Sequence, residues 1–347
     1  MKAVLLHEFG SIEKLEFSEY PTPTIESNQI LVKVAAVALN HLDLFVRAGI
    51  PGLNLKMPHI LGSDISGEIE EIGSENREEN LEAGNKIVVD PGISCGKCRF
   101  CQIGEVSLCR NYGVIGEHIR GGYAEYLAIP RENAILIPKN SPLDMTESAA
   151  VPLTFMTAYR MVKTRARVKK ADNVLITGIG GGVALAALQI AQLLGARVFV
   201  TSSSNEKLKK AKELGASLGI NYVDNPDYHK EIYYHTDRRG VDVVIDSSGQ
   251  ENWQKNMRAL RKGGRLVTCG ATTGPRAITN LNLLFWNQLE LIGSTMASRQ
   301  ELREVLDYVW RGNLKPVIDT VLPLSKAQDA QRILEGGKQF GKVVMVP

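Results

Sequence analysis

"NVLITGIGGGVALAALQIAQLLGARVFVTSSS", residues 173–204, carries three patterns in order. NVLIT is apolar and β-branched, as a strand buried on both faces requires. A glycine-rich turn, GIGGG at 178–182, precedes a nearly continuous apolar helix that stops at Gly195, and ARVFVTS is a second strand. Strand, glycine turn, helix and strand make the βαβ unit of a dinucleotide-binding fold. The glycines let the backbone approach a pyrophosphate, whose charge rests at the helix N-terminus. The turn departs from strict G-x-G-x-x-G. With Gly178 and Gly180 as the first pair, Val183 falls third; a second register, Gly180-Gly181-Gly182-Val183-Ala184, puts alanine at the close helix–strand contact.

Four further runs, LGINYV, VDVVID, GRLVTCG and LELIGS, read as short strands with helical stretches between them. One such stretch, NEKLKKAKELG, is expected to start at Asn205 as N-cap and to close at Gly215. Six strands alternating with helices predict an α/β, doubly wound parallel sheet. The end of the second strand reads Thr201-Ser202-Ser203-Ser204-Asn205, then Glu206 and Lys207. An NAD site usually places Asp or Glu there for the ribose 2′-hydroxyl. Hydroxyls and an ammonium suit a 2′-phosphate better, so NADPH is the expected cofactor and NADH the possible one. The alternative is a plain polar loop with Lys207 solvated.

The 347 residues exceed one ordinary core, and two domains are the default. With 44% hydrophobic and 23% charged residues the chain has a globular composition. The net charge of +3 comes from 41 basic and 38 acidic residues spread along the chain, with no basic run to meet nucleic acid. No apolar run reaches a membrane span, and the first residues lack a cleavage signal. The chain therefore reads as cytoplasmic, with a small-molecule substrate and neither nucleic acid nor membrane as partner.

Four of the five cysteines, Cys95, Cys98, Cys101 and Cys109, fall in CGKCRFCQIGEVSLC. A reducing compartment argues against disulfides. The spacing lets one loop wrap four thiolates around a tetrahedral zinc, and such a site is closed and structural. An iron–sulfur cluster is the rival, but those runs usually continue C-x3-C-P; unmetallated thiols are the third reading. Cys269, at the end of GRLVTCG, reads as a core residue.

Residues 1–155 hold short alternating strands, QILVKVAAVALN, GEIEEIG, NKIVVDPG and YAEYLAIP, which predict a β-rich domain. Together with NHLDLFVRAG (40–49), LGSDISGEIEEIG (61–73), GGYAEY (121–126), PLTFMTAY (152–159) and FGKVV (340–344), the cysteine cluster and the glycine turn resemble the medium-chain dehydrogenase/reductase superfamily of zinc alcohol dehydrogenases and quinone oxidoreductases. The resemblance implies a GroES-like catalytic domain from 1–155 and 297–347, a Rossmann domain at 156–296, an active site in the cleft between them, and a homodimer or homotetramer.

It also separates the branches. Zinc alcohol dehydrogenases hold a catalytic zinc with a cysteine, the His-Glu of GHE, and another cysteine or acidic residue. This chain has Asn40, Gly62-Ser63-Asp64 and, near the third position, Leu153. Asn40-x-x-Asp43 and Gly62-x-Asp64-x-x-Gly67 are instead similar to the zinc-free quinone and enoyl reductase branch. Thr157 and Tyr159 match its T-A-Y beside the cofactor, and Lys207 with Asn221-Tyr222 its 2′-phosphate contacts. That branch normally lacks the cysteine cluster, and often has a tyrosine where this chain has Phe45. The resemblance implies Asn40 near nicotinamide or substrate carbonyl, His41 near the pyrophosphate, and Asp43 and Asp64 as positioning groups. The expected reaction is NADPH-dependent reduction of a quinone, enone or other α,β-unsaturated carbonyl, with one structural zinc per chain. Two alternatives stand: an alcohol dehydrogenase with an improvised metal site drawing on His41, Asp43, His59 or His118, and a cofactor-binding protein with little catalysis.

Overall fold

Residues 1–75 and 80–347 are described by a computed structural model. The chain forms two compact units, Met1–Leu153 with Ser298–Pro347, and Thr154–Ala297.

The first unit is built on strands that bury one face. In Gln29–Ala38 the apolar positions alternate into the core at Ile30, Val32 and Val34 before the strand becomes buried throughout. Among the described residues, its seven-stranded sheet runs Ile318–Pro323, Lys342–Val346, Gln29–Ala38, Asp64–Ile72, Lys86–Val89 and Ala134–Leu136, with Tyr126–Pro130 also paired to Gln29–Ala38. The two C-terminal strands thus extend one side of a sheet made by the N-terminal part, with Lys342–Val346 paired to Gln29–Ala38. Ala38 is flanked in register by Asp64 on one side and Val344 on the other. Helix α1 (His41–Ala48) follows directly from the end of that strand.

The second unit is the α/β sheet that the glycine turn predicts. Its six parallel strands run Leu218–Asn221, Arg197–Ser202, Asn173–Ile176, Val241–Asp246, Leu260–Thr268 and Glu290–Gly293. The order reverses between Asn173–Ile176 and Val241–Asp246, the switch point where such sheets take nucleotides. Helix α2 (Gly182–Leu193) buries its alanine- and leucine-rich length, and Gly195 lies just past it at φ +79°. Helix α3 (Asn205–Glu213) is capped by Ser204, whose hydroxyl accepts the Lys207 N–H. The expected cap, Asn205, is instead the first helical residue: serine and asparagine cap equally well, and the turn geometry decides. Cys269 sits just beyond Leu260–Thr268; the residue as a whole is half-buried, and burial pushes its thiol pKa up, as for a core cysteine. No described helix is long and apolar enough to cross a membrane.

Candidate active site and metal centre

The four loop cysteines converge. Cys95, Cys98, Cys101 and Cys109 Sγ atoms all lie within 4.8 Å of one another. The separations are 3.5 Å for Cys95–Cys109, 3.6 Å for Cys98–Cys101 and 3.9 Å for Cys95–Cys101. Sulfurs bound at about 2.3 Å to one tetrahedral zinc stand about 3.8 Å apart, whereas a disulfide closes to about 2.05 Å. Gly96 and Gly104, at φ +68° and +81°, turn the loop around the cluster. Backbone N–H groups of Lys97 and Cys98 hold the Cys95 thiol down to about 6, and the Asn111 N–H donates to Cys109 Sγ at 3.4 Å. Four thiolates with backbone donors around them fit a zinc that keeps no open coordination position.

A second cluster lies in the same unit. Asp64 and Lys342 each open a strand, and Asn40 precedes α1 two residues after the strand between those two. The Lys342 ammonium donates to Asn40 Oδ1 at 2.6 Å and to Asp64 Oδ2 at 2.9 Å. Asn40 Nδ2 donates to the same Asp64 oxygen at 3.0 Å, which closes a three-membered ring of hydrogen bonds. Asp64 Oδ1 accepts the Leu153 N–H at 2.6 Å. Asp64 is fully buried and the Lys342 side chain is 5% exposed, so charge and countercharge share a dry site.

Asp43 anchors the neighbouring backbone. Its carboxylate accepts the N–H of Asn40 at 2.7 Å and of Gly62 at 3.1 Å. Burial pushes its pKa up to about 6, against the pull of the Asn40 N–H and the Lys342 charge. Gly62 itself sits at φ +100°, and a Cβ there would lie 2.5 Å from the Tyr123 ring, so the segment entering Ser63 admits no other residue. Ser63 is fully buried, and its hydroxyl has no hydrogen-bond partner. An unmade bond of this kind costs about 1–3 kcal/mol.

These residues do not suit a catalytic zinc. Asn40, Ser63 and Leu153 bring an amide, a hydroxyl and a hydrocarbon, and both Asp64 oxygens are already held by Leu153, Asn40 and Lys342. Nor do the histidines assemble an improvised site. His59 is buried with Nε2 3.1 Å from the Gly116 carbonyl, and burial holds its imidazole below the usual range. His118 Nδ1 accepts the Val114 N–H at 3.1 Å. His41 opens α1 with its ring tilted against Phe45. Among the described residues the four cysteines are the one metal-ligating group of His, Cys, Asp or Glu.

The glycine turn lies at the switch point of the second unit, where such sheets take nucleotides. Gly178 and Gly180 take φ +67° and +128°. A Cβ on Gly178 or Gly181 would meet nothing within 4 Å, so the turn leaves open room above its backbone. Gly181 caps α2 with no side chain over the first N–H groups, and no acidic residue stands in that first turn. Both features fit a pyrophosphate. Gly182 and Val183 open the helix, and the Ile179 N–H is tied to the Thr201 carbonyl at 2.8 Å. Ser203 is exposed at the end of the second strand, with half-buried Lys207 on the first turn of α3. The Tyr222 N–H donates to the Ser202 carbonyl at 3.1 Å, and Asn221 Nδ2 to Asn205 Oδ1 at 3.0 Å, so both loops meet there. Thr157 is buried, its hydroxyl 3.9 Å from Met296 sulfur.

Two residues escaped the sequence reading. Lys342 was visible only as a cation inside the apolar run GKVVMV, the sign of a buried pair. Asp246 closes Val241–Asp246 and accepts from Thr177 Oγ1 at 2.7 Å, Ser248 Oγ at 2.6 Å and the Gly249 N–H at 2.9 Å, fixing the loops at the switch point.

Comparison with known proteins agrees with the two folds described. The family described as "Alcohol dehydrogenase GroES-like domain" matches residues 26–139, and "Zinc-binding dehydrogenase" matches 182–311. An NAD-dependent alcohol dehydrogenase of Sulfolobus acidocaldarius is 35% identical over 99% of each chain. An acryloyl-coenzyme A reductase of Sulfurisphaera tokodaii is 28% identical over 100% of each. A crystal structure of an NAD-dependent alcohol dehydrogenase superposes with a TM-score of 0.95 at 41% identity, covering 100% of both chains.

Proposed function

Because the chain belongs to the medium-chain dehydrogenase/reductase superfamily and is an NAD(P)-dependent oxidoreductase of that type, we propose that it reduces the activated double bond of a quinone, enone or other α,β-unsaturated carbonyl without a catalytic metal. The observation that carries this reading is the donor set where a zinc enzyme needs thiolate and imidazole: at the first position Asn40, its amide tied to Asp64 and Lys342, and at the second the Ser63 hydroxyl. A conjugated carbonyl already withdraws electrons from the carbon to be reduced, whereas a simple ketone generally needs a Lewis acid.

NADPH, when bound, supplies the hydride. The N–H groups of Gly181, Gly182 and Val183 at the start of α2 would hold its pyrophosphate, with the Gly178–Gly180 turn leaving room for it. Ser203, Lys207 and Tyr222 meet the 2′-phosphate, and Thr157 lies beside the cofactor. Asp43 and Asp64 position the Asn40 and Ser63 segments. The cysteine loop carries one structural zinc. The protein works in the cytoplasm as a homodimer or homotetramer, on a small molecule and with neither nucleic acid nor membrane as partner.

A second reading is favoured by the relatives named alcohol dehydrogenases at 35% and 41% identity: oxidation of an alcohol with an atypical metal site. A screen of the purified protein with NADPH and NADH against quinones, enones, unsaturated thioesters, simple ketones and alcohols separates the two. Oxidation of NADPH by the conjugated acceptors alone is expected. Metal-dependent turnover of simple alcohols would overturn the proposal, and cofactor binding without turnover of any acceptor would favour a non-catalytic role.

A further inference from the structure

We infer that the Ser63 hydroxyl is the hydrogen-bond donor to the substrate's carbonyl oxygen; this rests on the reductase reading above. Ser63 is fully buried and its Oγ has no partner, although its neighbours are saturated. Asp64, the next residue, has one oxygen on the Leu153 N–H and the other shared by Asn40 and Lys342. The Asn40 amide is spent as well, its oxygen on Lys342 and its nitrogen donating to Asp64 at 3.0 Å and to the Ala38 carbonyl at 3.5 Å. Of the polar side chains at Asn40, Ser63 and Asp64, the serine alone keeps an uncommitted hydrogen. Buried polar groups in folded proteins are nearly always paired, and an orphan that survives calls for a ligand or water to complete it.

The backbone that carries Ser63 is clamped. The Gly62 N–H donates to Asp43 Oδ1 at 3.1 Å and the Gly62 carbonyl accepts from Gly122 at 2.9 Å. A Cβ on Gly121 would fall 2.1 Å from that carbonyl, so these two loop segments pack backbone to backbone. A donor fixed in this way needs no reorganisation when charge develops on its acceptor, the condition under which such a bond favours the transition state. As the β-carbon takes up hydride, the π-electron pair moves onto the carbonyl oxygen; the resulting enolate then takes a solvent proton at the α-carbon. Ser63 stabilises the oxygen throughout and keeps its own proton.

The test compares Ser63→Ala with wild type in two readouts. With no substrate present, the alanine variant melts at the same temperature or higher, because it loses a hydroxyl that made no bond. In enone reduction by NADPH its kcat falls about 10²–10³-fold, the range for loss of one oxyanion donor, while the NADPH dissociation constant is unchanged. Ser63→Cys, with a weaker donor, falls between. An alanine variant that keeps kcat within twofold of an active wild type overturns the role of Ser63 and leaves the reductase reading standing. A clear drop in melting temperature also overturns it, since the hydroxyl would then be bonded in the resting protein. A wild type that reduces no unsaturated carbonyl sinks the reductase reading, and this proposal with it.

Discussion

Replacing Lys342 with methionine keeps the length and apolar stem of the side chain and removes only the ammonium. In the native protein that ammonium bonds Asn40 Oδ1 at 2.6 Å and Asp64 Oδ2 at 2.9 Å. Asp64 is fully buried, so its carboxylate in the variant has no countercharge and no water to replace it. Breaking one side of a buried ion pair costs about 3–5 kcal/mol. For a unit of roughly 150–250 residues each kcal/mol moves the melting temperature about 2–4 °C, so Lys342→Met should melt roughly 6–20 °C lower. Thermal unfolding followed by circular dichroism at neutral pH measures this. The double variant Asp64→Asn/Lys342→Met removes both charges and should recover much of the loss, with a coupling energy of about 0.5–3 kcal/mol. A single variant that loses less than about 1 kcal/mol, the range of exposed pairs, would refute the claim that the ring is a dry, mutually dependent unit.

Two other predictions follow from separate parts of the structure. Ser203→Asp, at an exposed position, puts a carboxylate where the adenosine 2′-phosphate is expected; the ratio of kcat/KM for NADPH over NADH should fall at least tenfold, and an unchanged ratio would count against the NADPH assignment. Burial raises the pKa of Asp90 from 3.8 to about 6, against the opposing pull of the Gly92 N–H. Between about pH 4 and 6 the native protein therefore holds a proton there that the unfolded chain has released, and this group's contribution to stability falls as pH rises through the window. Asp90→Asn cannot titrate, so its stability relative to wild type should grow by up to about 3 kcal/mol from pH 4 to 6 and stay level above; a difference constant across that window would contradict the buried, protonated carboxyl.

The fold was legible because its signals are local. NVLIT, the glycine turn and the apolar helix announce their geometry within a few turns of chain, and CGKCRFCQIGEVSLC places four thiols within reach of one ion. The site was legible only in part. Asn40, Ser63 and Asp64 showed which ligands are missing, but not what fills the space. That depends on Lys342, 278 residues from Asp64 in sequence, brought to it when the C-terminal strand pairs with Gln29–Ala38. Such a contact leaves one local trace, a cation in an apolar strand. The orphaned Ser63 hydroxyl leaves none, because the absence of a partner exists only in three dimensions. At α3 the miss was of another kind: Ser204 and Asn205 are both good caps, and one residue of turn geometry chose between them.

If this chain reduces its substrate with a structural zinc and no catalytic one, the metal content of the active protein must show it. Elemental analysis of protein that oxidises NADPH with an enone should give one zinc per chain. Two metals per chain, with activity rising and falling as the second is added and removed, would contradict the account.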